Sequence, residues 1–201
     1  MARASTGRVV TVVFLLLCGI GLAGSLCARA DELTGVVVTA TRRPQASLDL
    51  PVSIDRVTQT RIQQGRLQVN LSESLSEVPG VSARNRQNYA QDLQLSLRGF
   101  GARSSFGVRG VRLYADGIPG TMPDGQGQFS HFDLGSAGHI EVLRGPFSAL
   151  YGNSSGGVIA IFTEDAPVGS LLSGAAATGA FGTRRYALKL AGGRSDLNYL
   201  V

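Results

Sequence analysis

The stretch of residues 97–165 constrains the fold of this chain more than any other part of its sequence. Glycine and proline occur there at the joints between short apolar runs, and Arg-Gly pairs recur, among them Arg98-Gly99 and Arg144-Gly145. Glycine permits tight turns that other residues resist, and the whole chain has 27 glycines among 201 residues. We therefore predict a domain of short strands and short helices joined by tight turns, without long helices.

The first thirty residues are typical of a secretory signal peptide. Arg3 and Arg8 form a basic start, residues 9–23 form an apolar run, and Ala28-Arg29-Ala30 gives the small-residue pattern of a cleavage site. The apolar run is shorter than the ~20 residues that a membrane-spanning helix needs. We predict export through the inner membrane, with the signal peptide cleaved after Ala30.

The charge and the cysteine content both change once this signal is removed. The whole chain has 19 basic and 14 acidic residues, and loss of Arg3, Arg8 and Arg29 leaves 16 and 14, a net charge of +2. Such a small excess gives no basis for nucleic-acid binding, so we expect no nucleic-acid partner. Cys18 and Cys27 both lie in the signal, which leaves the mature chain without disulfides or thiolate chemistry.

Apolar patterns predict several short strands in the middle of the chain. Within residues 139–143 we expect Ile140 and Val142 to face inward, and we expect Asp116-Gly117 to form a turn after the third strand. Residues 158–162 are almost continuously apolar, which is typical of a strand buried on both faces. The predicted strands are residues 51–57, 93–97, 111–115, 139–143 and 158–162.

Three short helices are predicted between these strands. Asn70 is the expected cap of the second helix, and Pro79-Gly80 is expected to end it. Pro146 stands where a helix start tolerates proline. The predicted helices cover residues 58–64, 72–78 and 147–151.

After Pro167 the pattern changes to longer alternating segments. Residues 171–182 and 183–192 are each about ten residues long, and a third run follows the turn at Ser195-Asp196. In the second segment, three apolar residues alternate with Arg185, Ala187 and Lys189; they are Tyr186, Leu188 and Leu190. Alternating segments of this length predict outer-membrane barrel strands in contact with outer-membrane lipid.

Taken in order, these motifs resemble those of TonB-dependent outer-membrane receptors. The resemblance rests on TGVVVTA (34–40) as a TonB box, LSEVPGV (75–81), LRGF (97–100), DGIP (116–119) and IEVLRGPFSALYGNSSGG (140–157). It implies an α+β fold, in which a small mixed β-sheet plug domain with short helices precedes the first antiparallel strands of a transmembrane β-barrel. The implied domains are a signal peptide (1–30), a flexible N-terminus with the TonB box (31–45), a plug (46–166) and the start of a barrel (167–201).

The chain departs from this family in length. Complete receptors close a barrel of about 22 strands, whereas this sequence holds two strands and part of a third. We expect a truncated gene product or a remnant of a longer gene, and we expect the isolated chain to be marginally stable.

The resemblance also implies a mechanism and a location. Such receptors lie in the outer membrane of Gram-negative bacteria and import a scarce solute, most often a ferric siderophore. The plug closes the barrel, and TonB, driven by its inner-membrane energising complex, pairs with a free extended strand of the receptor. The residues expected to bind TonB are Thr34, Gly35, Val36, Val37, Val38, Thr39 and Ala40. No enzymatic activity and no cofactor are implied.

Ligand is expected on three plug loops, residues 84–90, 102–107 and 120–128, which follow the PGV, RGF and DGIP motifs in that order. Six arginines and one acid, Asp92, lie between Arg84 and Arg112. Since guanidinium groups suit carboxylates and other planar anions, we expect an anionic or iron-chelating small molecule, or an anionic organic cofactor as cargo. The alternative is a solvated basic rim. The candidate ligand-binding residues are Arg84, Arg86, Gln87, Asn88, Tyr89, Arg103, Ser104, Ser105, Phe106, Met122, Asp124 and Gln126.

Arg98 and Arg144, from the RGF and RGP motifs, match plug arginines that pair with barrel glutamates in the family. Those glutamates would lie beyond residue 201, so we expect both arginines to be unpaired here. The alternative is that both arginines simply end strands in water.

Other chemistries are weaker readings of the sequence. Gly152-Asn153-Ser154-Ser155-Gly156 fits the pattern of a hydrolase nucleophile elbow, but a helix is predicted before it and a strand after it, the reverse of what that motif needs. His131 and His139 lack a third metal ligand at suitable spacing, so no metal site is expected. The main alternative function is a soluble periplasmic α+β domain that binds a partner without any barrel; a non-functional fragment is the other.

Overall fold

The computed structural model describes residues 37–38, 43–86, 88, 91–104, 107–146, 148–152, 154–194 and 197–201. The predicted signal peptide lies outside these residues. The first strands are β1 (Val37–Val38), β2 (Gln45–Ala46), β3 (Ser53–Thr58), β4 (Val81–Arg84), β5 (Gln94–Leu97), β6 (Val108–Arg109) and β7 (Val111–Ala115). The later strands are β8 (Ile118–Pro119), β9 (Gln126–Gly127), β10 (Ala137–Arg144), β11 (Gly157–Thr163), β12 (Gly169–Thr178), β13 (Arg184–Arg194) and β14 (Leu197–Leu200). The α-helices are α1 (Gln59–Gln63), α2 (Ser72–Leu75) and α3 (Ser148–Tyr151), with 3-10 turns at Ser47–Asp49 and Ala180–Gly182.

A five-stranded mixed sheet forms the centre of the fold, in the order β3-β10-β11-β7-β8. All neighbours are antiparallel except β11 and β7, which run parallel. One end of the sheet brings Ser53, Arg144, Gly157 and Val111 side by side, and β11 leaves the opposite end toward β12. The predicted α+β class with a small mixed sheet and short helices is confirmed.

The core lies mainly on the sheet face that carries α1 and α2. Val57, Ile140 and Ile159 from three strands pack there with Ile62 of α1 and Leu75 of α2. A second, smaller cluster covers the other face and contains Tyr114, Leu143, Val158 and Ala160. Strand β11 is therefore buried on both faces, as its continuous apolar sequence predicted.

Strand β10 is more buried than its sequence pattern predicted. Ile140 and Val142 face the main core as expected, but Leu143 and Glu141 on the other face are buried as well. The reason is position, because β3 and β11 flank β10 on both edges and the second cluster covers its second face. The buried Glu141 carboxylate has polar neighbours, because His139 Nε2 lies 3.4 Å from Glu141 Oε1 and Arg56 is paired with Glu141 in the strand register.

Helix α2 begins and ends differently from the prediction. Asn70 makes no side-chain capping bond at its start; instead Glu73 reaches back and its carboxylate accepts the backbone N–H groups of Gln68, Val69 and Asn70 at 3.0 Å each. This is the Glu half of a capping box. The helix ends at Leu75 rather than Val78 because the chain tightens before Pro79, a position where helical backbone is disfavoured.

Strands β12, β13 and β14 form a separate antiparallel sheet, and along β13 exposed and half-buried residues alternate from Arg184 to Leu190. Tyr186 and Leu188 are each 75% exposed, while Arg185, Ala187 and Lys189 between them are half-buried. This confirms the predicted alternation in β13, a pattern that is typical of barrel strands.

Among the described residues, no helix is long and apolar enough to cross a membrane.

Candidate ligand-binding loops and plug contacts

The three predicted loops are partly described by the structure. Gln87, Tyr89, Ser105 and Phe106 lie outside the described residues. The remaining candidates are Arg84, Arg86, Asn88, Arg103, Ser104, Met122, Asp124 and Gln126, of which Ser104 and Gln126 are half-buried and the others exposed.

Hydrogen bonds join the first loop to the second. Arg84 ends β4 and stands opposite Gln94 at the start of β5. The Gln94 side-chain amide donates to the carbonyl oxygens of Ala102 at 3.1 Å and Ser104 at 3.2 Å. A small recess of about 150 Å³ lies between the two loops, lined by Ser82, Arg84, Gln94, Ser96 and Ala102.

Strand pairing joins the second loop to the third. Directly after the second loop, Val108 and Arg109 pair with Gly127 and Gln126. Arg109 Nη2 also donates to Gln126 Oε1 at 3.4 Å. The three loops are thus neighbours, although Arg84 and Gln126 are 42 positions apart in the sequence.

The side chains of Asp124 and Ser104 form hydrogen bonds within their own loops. Asp124 Oδ1 accepts the backbone N–H of Gln126 at 3.0 Å, and Ser104 Oγ donates to the Gly107 carbonyl at 3.3 Å. Both bonds stabilise tight turns. Met122, in contrast, is 62% exposed and projects an apolar side chain into solvent.

The structure adds two arginines that the sequence prediction did not select. Arg109 borders the third loop through Gln126, and Arg112 Nη1 donates to the carbonyl oxygens of Thr121 at 3.5 Å and Met122 at 3.4 Å. Both were counted in the arginine-rich stretch, and the pairing of β6 with β9 is what places Arg109 beside the loops. Arg84, Arg86, Arg103 and Arg109 are exposed on these loops or beside them, and the third loop carries the exposed acid Asp124.

The prediction that Arg144 is unpaired is wrong. Its guanidinium lies 2.5 Å from Asp55 Oδ2 and donates to the Pro79 carbonyl at 3.0 Å, with its side chain 14% exposed. Asp55 lies on β3, so the pairing of β3 with β10 supplies the partner from within the plug sheet. The isolated charge that suggested marginal stability is thus compensated at this position.

Arg98 differs from Arg144 in its exposure and in its hydrogen bonds. It is exposed, adopts a left-handed backbone with φ 49, and its backbone N–H donates to the Gly80 carbonyl at 2.8 Å. The RGF motif (98–100) is therefore joined to the PGV motif (79–81) by a backbone hydrogen bond, and the Arg98 side chain is exposed. This exposed orientation is compatible with either expectation for Arg98, a contact with a barrel wall or a strand end in water.

Of the predicted TonB box, only Val37 and Val38 belong to the described residues; the other five residues lie outside them. Val37 and Val38 pair antiparallel with Ala46 and Gln45. The expectation of a strand with no partner is therefore wrong for these two residues, because their own chain folds back and occupies one edge.

The residues of the rival chemistries are not arranged for catalysis or metal binding. Ser154 is fully buried, with helix α3 before it and strand β11 after it. A hydrolase nucleophile needs an exposed hydroxyl on a strand-to-helix turn. Within the described part of the chain, no three histidine, cysteine or acidic side chains gather into a metal site.

Comparisons with known proteins give one family. The family model that matches is the TonB-dependent receptor plug domain, over residues 46–158, which is more than half of the chain. Among curated proteins, the vitamin B12 transporter BtuB of Vibrio vulnificus (strain CMCP6) is 29% identical over 171 residues, covering 79% of this chain and 27% of that protein.

Solved structures give the same architecture. The ferric yersiniabactin uptake receptor FyuA from Yersinia pestis matches 72% of this chain and 22% of its own, with a TM-score of 0.54 and 25% identity. The pyoverdine outer membrane receptor FpvA from Pseudomonas aeruginosa PAO1, bound to pyoverdine, matches 81% of this chain and 22% of its own, with a TM-score of 0.62 and 21% identity. This chain therefore spans about a quarter of the length of the proteins that it matches.

Proposed function

Since this chain belongs to the TonB-dependent receptor plug domain family, we propose that it is the plug and first barrel strands of a receptor for energised solute uptake across a Gram-negative outer membrane. The proposed boundaries are a signal peptide over residues 1–30, cleaved after Ala30, a TonB box at 34–40, a plug at 46–166 and barrel strands from 167 to 201. The matched family region falls inside the proposed plug. The apolar outer face of β12–β14 contacts outer-membrane lipid in this proposal.

The ligand in this proposal is an anionic iron chelate, a ferric siderophore. The observation that carries it is the convergence of three loops into one surface with four exposed arginines: Arg84, Arg86, Arg103 and Arg109. A guanidinium offers a planar set of donors that suits carboxylate and other planar oxygen anions. FyuA and FpvA, by their descriptions, take ferric yersiniabactin and pyoverdine, which supports this class. The vitamin B12 transporter BtuB makes a corrinoid the comparison compound.

A binding titration tests this ligand class. The protein in detergent is titrated with a ferric catecholate, a ferric carboxylate, a corrinoid, and a neutral and a cationic iron chelate. We expect the anionic chelates to bind, and we expect Arg84→Ala and Arg103→Ala each to weaken them roughly 10- to 100-fold, the effect of one lost charge-assisted bond. Arg61→Ala on α1, an exposed arginine away from the loops, is the matched control and should bind as wild type. Binding confined to neutral or cationic compounds would refute the anionic class.

TonB is the proposed partner, and it adds as a strand to the segment 34–40. Val37 and Val38 already form backbone pairs with Ala46 and Gln45 on one edge, so the proposal requires TonB either to take the second edge or to displace β2. Strand addition depends on backbone N–H groups, which proline lacks.

Proline and alanine variants at these two positions test strand addition. Neighbouring N–H groups of a strand point to opposite edges, so one of Val37→Pro and Val38→Pro removes a donor that faces TonB. We expect at least one proline variant to lose capture of the periplasmic TonB domain, while Val37→Ala and Val38→Ala keep it. Equal capture by all four variants would contradict strand addition at this segment and leave the ligand titration unaffected.

A further inference from the structure

Glu164 occupies the junction between the central sheet and the first barrel strands. Its backbone N–H donates to the Ser136 carbonyl at 2.9 Å. The residue before it, Thr163, donates from its backbone N–H to Asp116 Oδ1 at 2.7 Å and from its hydroxyl to Asp116 Oδ2 at 2.5 Å. The backbone at this junction is therefore held from two sides before the side chain of Glu164 is considered.

The Glu164 carboxylate joins two elements that are distant in sequence. One oxygen, Oε2, accepts a hydrogen bond from the side-chain amide of Gln59 in α1. The other oxygen, Oε1, accepts from Lys189 Nζ of β13 at 2.5 Å. The Glu164 side chain is 13% exposed and the Lys189 side chain 24%, so water screens this ion pair less than it would a surface pair. Each oxygen thus has one partner, one on the plug and one on the barrel strand.

Side-chain packing alone does not join the end of the central sheet to strands β12 and β13 near Glu164. A cavity of about 830 Å³ separates the end of the sheet from β12 and β13, with Gln59, Phe162, Leu171 and Lys189 in its wall. Lys189 is the chain's single lysine, and the alternation of β13 turns it toward the plug while Leu188 and Leu190 are exposed. The polar bridge through Glu164 therefore spans a gap that side-chain packing leaves open.

We propose that Glu164 is a tether that fixes the plug against the first barrel strands. It is distinct from the expected contacts of Arg98 and Arg144, because here the carboxylate follows the plug sheet and the cation stands on the barrel strand. The tether also holds α1, which directly follows β3, the first strand of the central sheet along the chain. Movement of β3 and α1 relative to the barrel wall therefore requires the Glu164 bridge to open. This inference does not depend on the identity of the ligand or on TonB.

Distance measurements between spin labels test the tether in the whole 201-residue chain in detergent micelles. Cys18→Ser and Cys27→Ser leave no native thiol, and labels are then placed at the exposed positions Thr60→Cys on α1 and Leu188→Cys on β13. A second label pair within the plug, Thr60→Cys with Ser82→Cys, reports whether the plug itself stays folded.

We expect Glu164→Gln and Lys189→Gln each to raise roughly tenfold the fraction of molecules in which the labels on α1 and β13 have moved apart. This change corresponds to about 1.4 kcal/mol in free energy. The distance between the two labels within the plug should not change. Asp165→Asn removes the neighbouring, exposed charge and should leave both distances as in wild type. The exchange of charges in Glu164→Lys/Lys189→Glu should restore the wild-type distribution, since the Gln59 amide can also accept a hydrogen bond.

Three results would overturn the tether. The first is an unchanged distance distribution in Glu164→Gln. The second is an equal broadening in Asp165→Asn. The third is broadening of the plug-internal distance, which would show that Glu164 stabilises the plug rather than its attachment to the strands.

Discussion

Replacement of Gly157 by alanine should destabilise the chain strongly, and the structure allows the size of the effect to be worked out. Gly157 begins β11, pairs with Arg144 of β10 and has φ +139, a backbone conformation that is essentially restricted to glycine. A Cβ at this position would clash with the Leu143 carbonyl oxygen and lie 2.5 Å from Leu97 Cδ2. Neither neighbour can move freely, since both are fully buried in strands.

Two costs add up in this variant. The backbone strain costs about 1–3 kcal/mol, and forcing a methyl group into a filled core costs about 1–3 kcal/mol more. The expected loss of about 2–6 kcal/mol is a large part of the roughly 5–15 kcal/mol by which domains are stable. Gly65→Ala is the control, because Gly65 also has a positive φ of +68 but has no atom within 4 Å of an added Cβ. It should lose about 1–2 kcal/mol at most.

Urea unfolding in detergent, followed by tyrosine fluorescence and far-UV circular dichroism, measures both variants. Tyr114 and Tyr151 lie edge to face at 5.3 Å in the second core cluster and report on the region beside β11. A Gly157→Ala variant whose free energy of unfolding lies within about 0.5 kcal/mol of that of Gly65→Ala would refute the close-approach explanation for Gly157.

Three further predictions concern contacts that the structure defines. Asp55→Ala should lower the free energy of unfolding by about 1–3 kcal/mol, because it leaves the largely buried Arg144 guanidinium with only the Pro79 carbonyl as a partner. A double-mutant cycle with Arg144→Ala should then give a clear coupling energy between the two residues. Additive losses of stability would contradict this ion pair. Asp116→Ala should cost about 1–3 kcal/mol in the same urea titration, because it removes two acceptors from Thr163 and places alanine at φ 48. Asp116→Asn keeps one acceptor and tolerates that backbone, so it should lose less, and equal losses would argue against this explanation. Glu73→Ala should cost about 1 kcal/mol by removing the acceptor of three backbone N–H groups before α2, whereas Asn70→Ala should be nearly neutral; the reverse order would restore Asn70 as the cap.

The sequence predicted those parts of the fold that depend on neighbouring residues. Alternation located β5, β7 and β13 within a residue or two, and the Asp116-Gly117 turn formed as expected, with both residues at positive φ. Such patterns work because strand faces alternate every second residue and because few residues accept a left-handed turn.

What the sequence could not supply were contacts between residues far apart along the chain. Asp55 and Arg144 meet only because β3 pairs with β10 in a particular register, and nothing near either residue indicates that register. The burial of Glu141 likewise follows from the central position of β10 in the sheet. Arg109 joined the candidate ligand surface because β6 pairs with β9 across a loop of sixteen residues.

The central claim is that these residues form the plug of a TonB-energised uptake receptor. Its most direct test is accumulation of a radiolabelled ferric siderophore by Gram-negative cells that produce the receptor containing this plug, measured with and without TonB. We predict accumulation that requires TonB and that falls when Arg84 and Arg103 are both replaced by alanine, while Arg61→Ala has no effect. Accumulation at the same rate in cells without TonB would contradict the proposed function.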